Sequence, residues 1–161
     1  MLPSQTVRNW QFSILNNAYS SIKYILEQTD TMSLTTYRDG GNGWTALEVL
    51  AHLRDFEGVF YERISLAKTQ DNPVLPFPDP DQLALTNTYN TLPVWEVYTA
   101  WGSARQRLMD YMATFTEEDW LCPAQHPTRG AISIQDQLFL IAWHDVNHIE
   151  QMTRILRERQ A

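Results

Sequence analysis

Four segments of this 161-residue chain repeat their apolar residues at steps of three and four, the spacing of one helix face. In the first, residues 4–28, Trp10, Ile14, Ala18, Ile22 and Ile25 follow one stripe, which Leu15, Tyr19 and Leu26 widen. The second opens on a capping box, with Thr45 as N-cap, Glu48 three residues on, and Trp44 and Val49 placed as a hydrophobic staple. It continues to about residue 68 through Leu50, Leu53, Phe56, Phe60 and Ile64. The third is capped by Thr91, tolerates Pro93 in its first turn, and carries Val94, Val97, Trp101, Ala104, Leu108, Tyr111 and Phe115. The fourth is capped by Ser133, with Asp136 completing a weaker box, and runs to about residue 157 through Ile134, Leu138, Ile141, Ile149, Met152 and Ile155. Arg154, Arg157 and Arg159 near its end suit the helix dipole.

The connections decide how these helices are arranged. Residues 38–43 are glycine-rich and read as a loop. Residues 70–80 hold Pro73, Pro76, Pro78 and Pro80 and cannot be a helix interior; little pattern follows until about residue 90. A connection of that length predicts a crossover along the bundle, so that the second and third helices run parallel. Leu75 and Phe77 within it are expected to cover one edge. Residues 116–119 read as a short helical turn, and residues 121–130, with Pro123, Pro127 and Gly130, as a second loop. With no convincing strand and no internal repeat, the expected fold is all-α: a four-helix bundle with a long crossover, forming one domain over residues 1–161.

Charge and composition narrow the function classes. The net charge is −7 and no stretch gathers Lys and Arg, which disfavours nucleic acid and anionic membranes as partners. The first residues, Met1-Leu2-Pro3-Ser4-Gln5, lack the pattern of a signal peptide, and the longest apolar run, around Leu138 and Trp143, is far too short to span a membrane. The single cysteine, Cys122, excludes an internal disulfide framework and fits a reducing, cytoplasmic setting. Followed by Pro123 and without an activating neighbour in sequence, Cys122 reads as an incidental loop thiol.

The histidines carry the chemistry. His144 and His148 are four residues apart, which puts both imidazoles on one helix face, close enough to share a cation. His52 has Val49, Phe56 and Val59 at helical spacing around it, so it also looks inward. Three imidazoles with an open position describe a catalytic zinc site, and imidazole also suits nickel, copper and iron. Hydrogen-bonded core histidines remain the alternative on these residues alone. The spacing is not the zinc protease signature, because Asp145, not Glu, follows His144. Asp145 is on the core face, as a base, as an orienter of a ligand, or as a buried hydrogen-bonding group. Asp55 and Glu48 lie one turn either side of His52, and Gln151 one turn after His148; Asp55 is the other candidate catalytic carboxylate, while Glu48 already has a capping role. His126, in a loop before Pro127, is left outside the site.

These residues resemble a known pattern. The block Trp44-Thr45-Ala46-Leu47-Glu48-Val49-Leu50-Ala51-His52-Leu53-Arg54-Asp55-Phe56-Glu57 is similar to the second helix of the DinB/YfiT-like superfamily. Ser133-Ile134-Gln135-Asp136-Gln137-Leu138, continuing to His144-Asp145-Val146-Asn147-His148-Ile149-Glu150-Gln151-Met152, resembles its fourth. The resemblance implies an up-down-down-up bundle with a metal, usually zinc or nickel, on His52, His144 and His148. It further implies a homodimer acting on a small molecule, with low-molecular-weight thiols as cosubstrates in some relatives. A metal-dependent S-transferase or a hydrolase is the enzyme it suggests; a non-catalytic metal- or ligand-binding bundle is the alternative.

Overall fold

The four periodic segments are the four long helices. The computed structural model describes residues 5–157, so Ser4, at the expected start of the first helix, and Arg159 lie outside the described residues, as do Met1, Leu2 and Pro3, read for a signal peptide. The long helices are α1 (Gln5–Glu27), α3 (Ala46–Thr69), α5 (Val94–Met112) and α6 (Ile134–Arg157). Two short helices, α2 (Thr31–Thr36) and α4 (Pro80–Thr86), sit in the connections. Asp79 caps α4, accepting from Asp81 N at 2.9 Å, and Pro80 takes its first position, where a missing N–H costs nothing. Among the described residues, no helix is long and apolar enough to cross a membrane.

Contacts between helix ends establish the directions. Thr45, capping α3, bonds Asn90 just before α5 (2.6 Å), and Lys68 near the end of α3 pairs with Asp119 beyond α5 (2.6 Å). So α3 and α5 run parallel, as the long crossover requires. Arg8 near the start of α1 pairs with Glu117 beyond the end of α5, which sets those two antiparallel. Gln11 in α1 accepts from Gln135 in the first turn of α6 (2.8 Å), which makes α1 and α6 parallel. The result is the up-down-down-up bundle.

Three sequence expectations are corrected. Residues 121–130 are not a plain loop: β1 (Pro123–His126) and β2 (Gly130–Ser133) form an antiparallel hairpin. Strands of four residues are too short to show a period of two, and β1 opens on a proline, which a strand tolerates at its first residue. The free side of β1 binds the proline-rich crossover, through Leu75 N to Gln125 O (2.9 Å) and Gln125 N to Pro73 O (2.8 Å). The third long helix starts at Val94, not after Thr91, because the Thr91 hydroxyl turns back to donate to Thr88 O (2.9 Å) instead of capping; it ends at Met112, before Phe115.

The third correction is the buried face of α1. Leu15, Ala18, Ile22 and Leu26 are inward, but Trp10 is 63% exposed and Ile14 is 37% exposed. In the first turns the inward positions belong to Arg8 and Gln11. Arg8 lays its guanidinium over the Trp120 ring (5.2 Å), so a polar residue fills a core position that an apolar stripe cannot reveal. Leu15→Ala is therefore expected to cost about 2–5 kcal/mol, against less than about 0.5 kcal/mol for Trp10→Ser. Urea unfolding midpoints measure both; equal losses would contradict this face.

Candidate metal centre

His52 lies in the second turn of α3, close to the end that the capping box secures. Thr45 Oγ1 accepts from Glu48 N (3.2 Å), and Glu48 Oε2 accepts from Thr45 N (2.8 Å). His144 and His148 stand one turn apart on α6, which runs antiparallel to α3. The three rings meet between the two helices. Nε2 of His144 is 2.9 Å from Nε2 of His52 and 3.1 Å from Nε2 of His148, and all three residues offer a nitrogen within 4.8 Å of the others. Aromatic rings wall the cluster: Trp44 and Phe56 pack at a tilt against His52 (4.9 and 4.1 Å), and Phe60 meets His144 edge-on (5.2 Å).

Burial sets the charge of this cluster. Removal from water is the largest influence on each ring, and it pushes His52 down to about 2, with His144 and His148 repelling a further proton. His144 falls well below its usual value, through burial and then His148. His148 is lowered by burial, with Gln151 and Asp145 opposing. At neutral pH all three imidazoles are neutral and carry one lone pair each.

A chain of hydrogen bonds decides which nitrogen of His148 carries the proton. Arg154 donates to both oxygens of Asp39 (2.9 Å each) and holds that carboxyl below its ordinary range. An ionised Asp39 can only accept, so the Gln151 amide nitrogen points to it (3.0 Å). The Gln151 carbonyl then faces His148 Nδ1 (2.8 Å) and requires a proton there. His148 Nε2 is left with its lone pair aimed at the cluster. His144 Nε2 has one position for a hydrogen and cannot satisfy both neighbours, while Nδ1 of His52 and of His144 are buried without partners. A cation at the convergence point fits this donor set better than any placement of protons does. Zinc–nitrogen bonds at tetrahedral angles put nitrogens roughly 3.3 Å apart, a few tenths of an ångström beyond the two spacings from His144.

Asp145 is fully buried beneath the cluster. Its Oδ2 accepts from Arg105 Nη1 (2.7 Å), while Oδ1 has no partner and lies 3.8 Å from His144 Nδ1. Burial pushes its carboxyl up, against the pull of Arg105. Asp55 is not brought to the cluster: its oxygens accept from Arg54 (2.7 Å), Asn87 (2.9 Å) and Tyr89 (2.6 Å), tying the crossover to α3. Glu48 keeps its cap and pairs with Arg38 (3.1 Å), and Cys122 stays outside as a free thiol. His126, expected in a solvated loop, is instead buried in β1 and lines a cavity beside His144.

The sequence reading missed Asp39, Arg105, Glu57 and Arg63. Asp39 sits in the glycine-rich loop, whose left-handed Gly40 (φ 58°) and Gly41 (φ 85°) give no hint of an α6 partner. The other three are charged residues on otherwise apolar stripes, which was the one available signal.

The depressed imidazoles make stability depend on pH. The unfolded rings take up protons near the usual 6.5 and the folded rings do not, so acid favours unfolding. In EDTA, the melting temperature is expected to fall steadily as pH drops from 7 to 5. The slope should be shallower in His52→Phe, which removes one such ring; an unchanged slope would show that the rings protonate while folded.

A profile of the DinB superfamily matches residues 15–152. A protein of Oceanobacillus iheyensis, provisionally named metal-dependent hydrolase OB0782, is 31% identical over 133 residues, 83% of this chain and 73% of that protein. The structure of YfiT from Bacillus subtilis, described as a probable metal-dependent hydrolase with an unusual four-helix bundle topology, superposes with a TM-score of 0.89 at 24% identity, over 99% of this chain and 91% of that one. Mycothiol-dependent maleylpyruvate isomerase superposes with a TM-score of 0.73 at 14% identity, over 94% of this chain but only 61% of the isomerase. At such identities the two structures establish a shared fold, and the profile, spanning most of the chain, establishes descent: this chain belongs to the DinB superfamily.

Proposed function

We propose that this chain is a metal-dependent enzyme in which Nε2 of His52, His144 and His148 hold one divalent cation, zinc or nickel, and that it directs water at a small-molecule substrate. The observation that carries the reading is the convergence of three neutral imidazoles whose lone pairs no set of protons can satisfy. The names of the curated relatives point the same way. The chemistry such an ion supplies is Lewis acidity, which brings the pKa of a bound water or thiol toward neutrality and leaves a coordination position for it.

The chain's own residues do the rest. Gln151, held by Asp39 and Arg154, keeps His148 in the tautomer that presents Nε2. Asp145 acts as a positioning residue: its unpartnered Oδ1, 3.8 Å from His144 Nδ1, is the acceptor available to a hydrogen on that nitrogen, and Arg105 keeps that carboxylate in place. Phe56, Phe60 and Trp44 exclude bulk water. This reading assigns Asp55 no step, because its oxygens are held by Arg54, Asn87 and Tyr89. A second reading substitutes a low-molecular-weight thiol for water; the fold shared with a mycothiol-dependent enzyme favours it.

Elemental analysis tests the core of this proposal. Protein purified without a metal-affinity column should carry close to one zinc or nickel, lost in His148→Ala and bound about 10–100-fold more weakly in Gln151→Leu. EDTA should lower the melting temperature of the wild type and leave His148→Ala unchanged. A metal-free wild type sinks the proposal. Metal-dependent cleavage of p-nitrophenyl acetate without added thiol would select hydrolysis; metal-dependent consumption of a thiol with an alkyl halide would select transfer.

A further inference from the structure

A cavity of about 150 Å³ opens beside His144, between α3, α6 and the β hairpin. Its apolar wall includes Phe56, Phe60, Phe77 and Trp143. Its polar lining is one-sided: Arg63, His126, Thr128 and Arg129 border it with His144, and among the described residues no carboxylate does. In a chain with 19 acidic and 12 basic residues, such a concentration of positive charge at one concave place is out of keeping with the surface.

Arg63 is the decisive residue. Its side chain is 5% exposed, and Nε donates to Pro76 O (2.9 Å). Nη2 is buried without any hydrogen-bond partner, and Arg63 forms no ion pair among the described residues. Phe60 and Phe77 lie against the guanidinium at 5.8 and 5.7 Å, so aromatic faces, not an anion, surround it. A buried cation without an ion-pair partner is costly; Glu62, next in the chain, acts on it through charge but forms no ion pair with it. His126 adds a second donor. Its Nδ1 accepts from Thr128 N (3.3 Å), so in the neutral ring the hydrogen is on Nε2. Arg129, on the exposed hairpin turn, lies over Trp143 (5.7 Å) at the rim. The same Phe60 ring touches both Arg63 and His144, which joins the basic end of the cavity to the histidine cluster.

We propose that this cavity is the substrate pocket and that it selects a small carboxylate with an apolar body, the anion pairing with Arg63 and Arg129 and the body lying on Phe60, Phe77 and Trp143 toward His144. That the pocket serves catalysis rests on the metal-dependent reading above; that it binds a carboxylate does not. The size restricts the class further, since drug-sized ligands occupy pockets of roughly 300–1,000 Å³. The ligand is one ring or a short chain. A planar carboxylate matches the fork of a guanidinium, which a neutral amide does not.

Sodium phenylacetate and the uncharged phenylacetamide are the probes, titrated by calorimetry into the protein as purified and after EDTA treatment. Phenylacetate should bind at least tenfold more tightly than the amide in both preparations. Arg63→Gln should reduce that preference to within twofold, with helicity and metal content retained, and Arg129→Gln should weaken phenylacetate at least threefold. Arg129 is on the surface, so its variant keeps the test alive if Arg63→Gln fails to fold. Equal affinity for acid and amide overturns the proposal, as does a preference that survives both substitutions. A preference that disappears with EDTA also overturns it, because the cation and not Arg63 would then be the anion's partner. A metal-free wild type that still prefers phenylacetate would sink the metalloenzyme and leave the pocket; a metal-loaded one without the preference would do the reverse.

Discussion

The guanidinium of Arg105 touches all four long helices. From α5 it makes a two-pronged pair with Glu57 of α3 (2.6 and 2.7 Å), bonds Asp145 of α6 (2.7 Å), and donates to the Leu15 carbonyl of α1 (3.3 Å). Trp101 adds an indole N–H to Glu57 (3.2 Å) and packs against the guanidinium (5.1 Å). The two carboxylates hold Arg105 charged, with its pKa raised above the ordinary value, while burial pushes Glu57 and Asp145 upward. Such a group is poor evidence for stability by itself, because desolvation offsets much of the attraction. Removing one partner is another matter, since the remaining charges are stranded at a cost of about 3–5 kcal/mol. What the network provides is register. It separates two apolar clusters, one around Leu50, Trp101 and Met152 and one around Phe56, Leu108 and Leu138, and it admits one alignment of the helices.

That alignment is what brings the histidines together. Glu57 lies five residues after His52 on α3, and Asp145 follows His144 directly on α6. A slip of one turn between these helices would move the rings about 5.4 Å past one another, more than the whole spread of the cluster. The imidazoles are thus placed by a charge network that meets them at one point, Asp145 Oδ1 at 3.8 Å from His144 Nδ1. Their protonation is placed the same way, from the surface inward, because Arg154 fixes Asp39, Asp39 orients Gln151, and Gln151 assigns the His148 proton. Beside this neutral cluster the fold leaves a buried guanidinium with an unbonded Nη2, so two electrostatically different places face one cavity: lone pairs at one end, donors at the other.

The sequence by itself determined the helices, their parallel pairing across the crossover, and the three histidines as inward residues. These rest on local signals: Thr45 and Glu48 cap α3 wherever α3 goes, residues 70–80 cannot be helical in any context, and a four-residue spacing puts His144 and His148 on one face of any helix. Only the tertiary structure decided how α1 is turned, where Trp10 faces water and Arg8 faces Trp120, and that the stretch after Cys122 pairs as a hairpin with the crossover. The partners of Asp39, Glu57, Arg63 and Arg105 belong to that second kind. A charged residue on an apolar stripe signals a buried partner or a ligand, but periodicity within one helix holds no information about which. Arg105 finds Glu57 48 residues away and Asp145 40 residues away, whereas Arg63 forms no ion pair among the described residues and keeps Nη2 unbonded, and that difference is written in the packing of helices against each other.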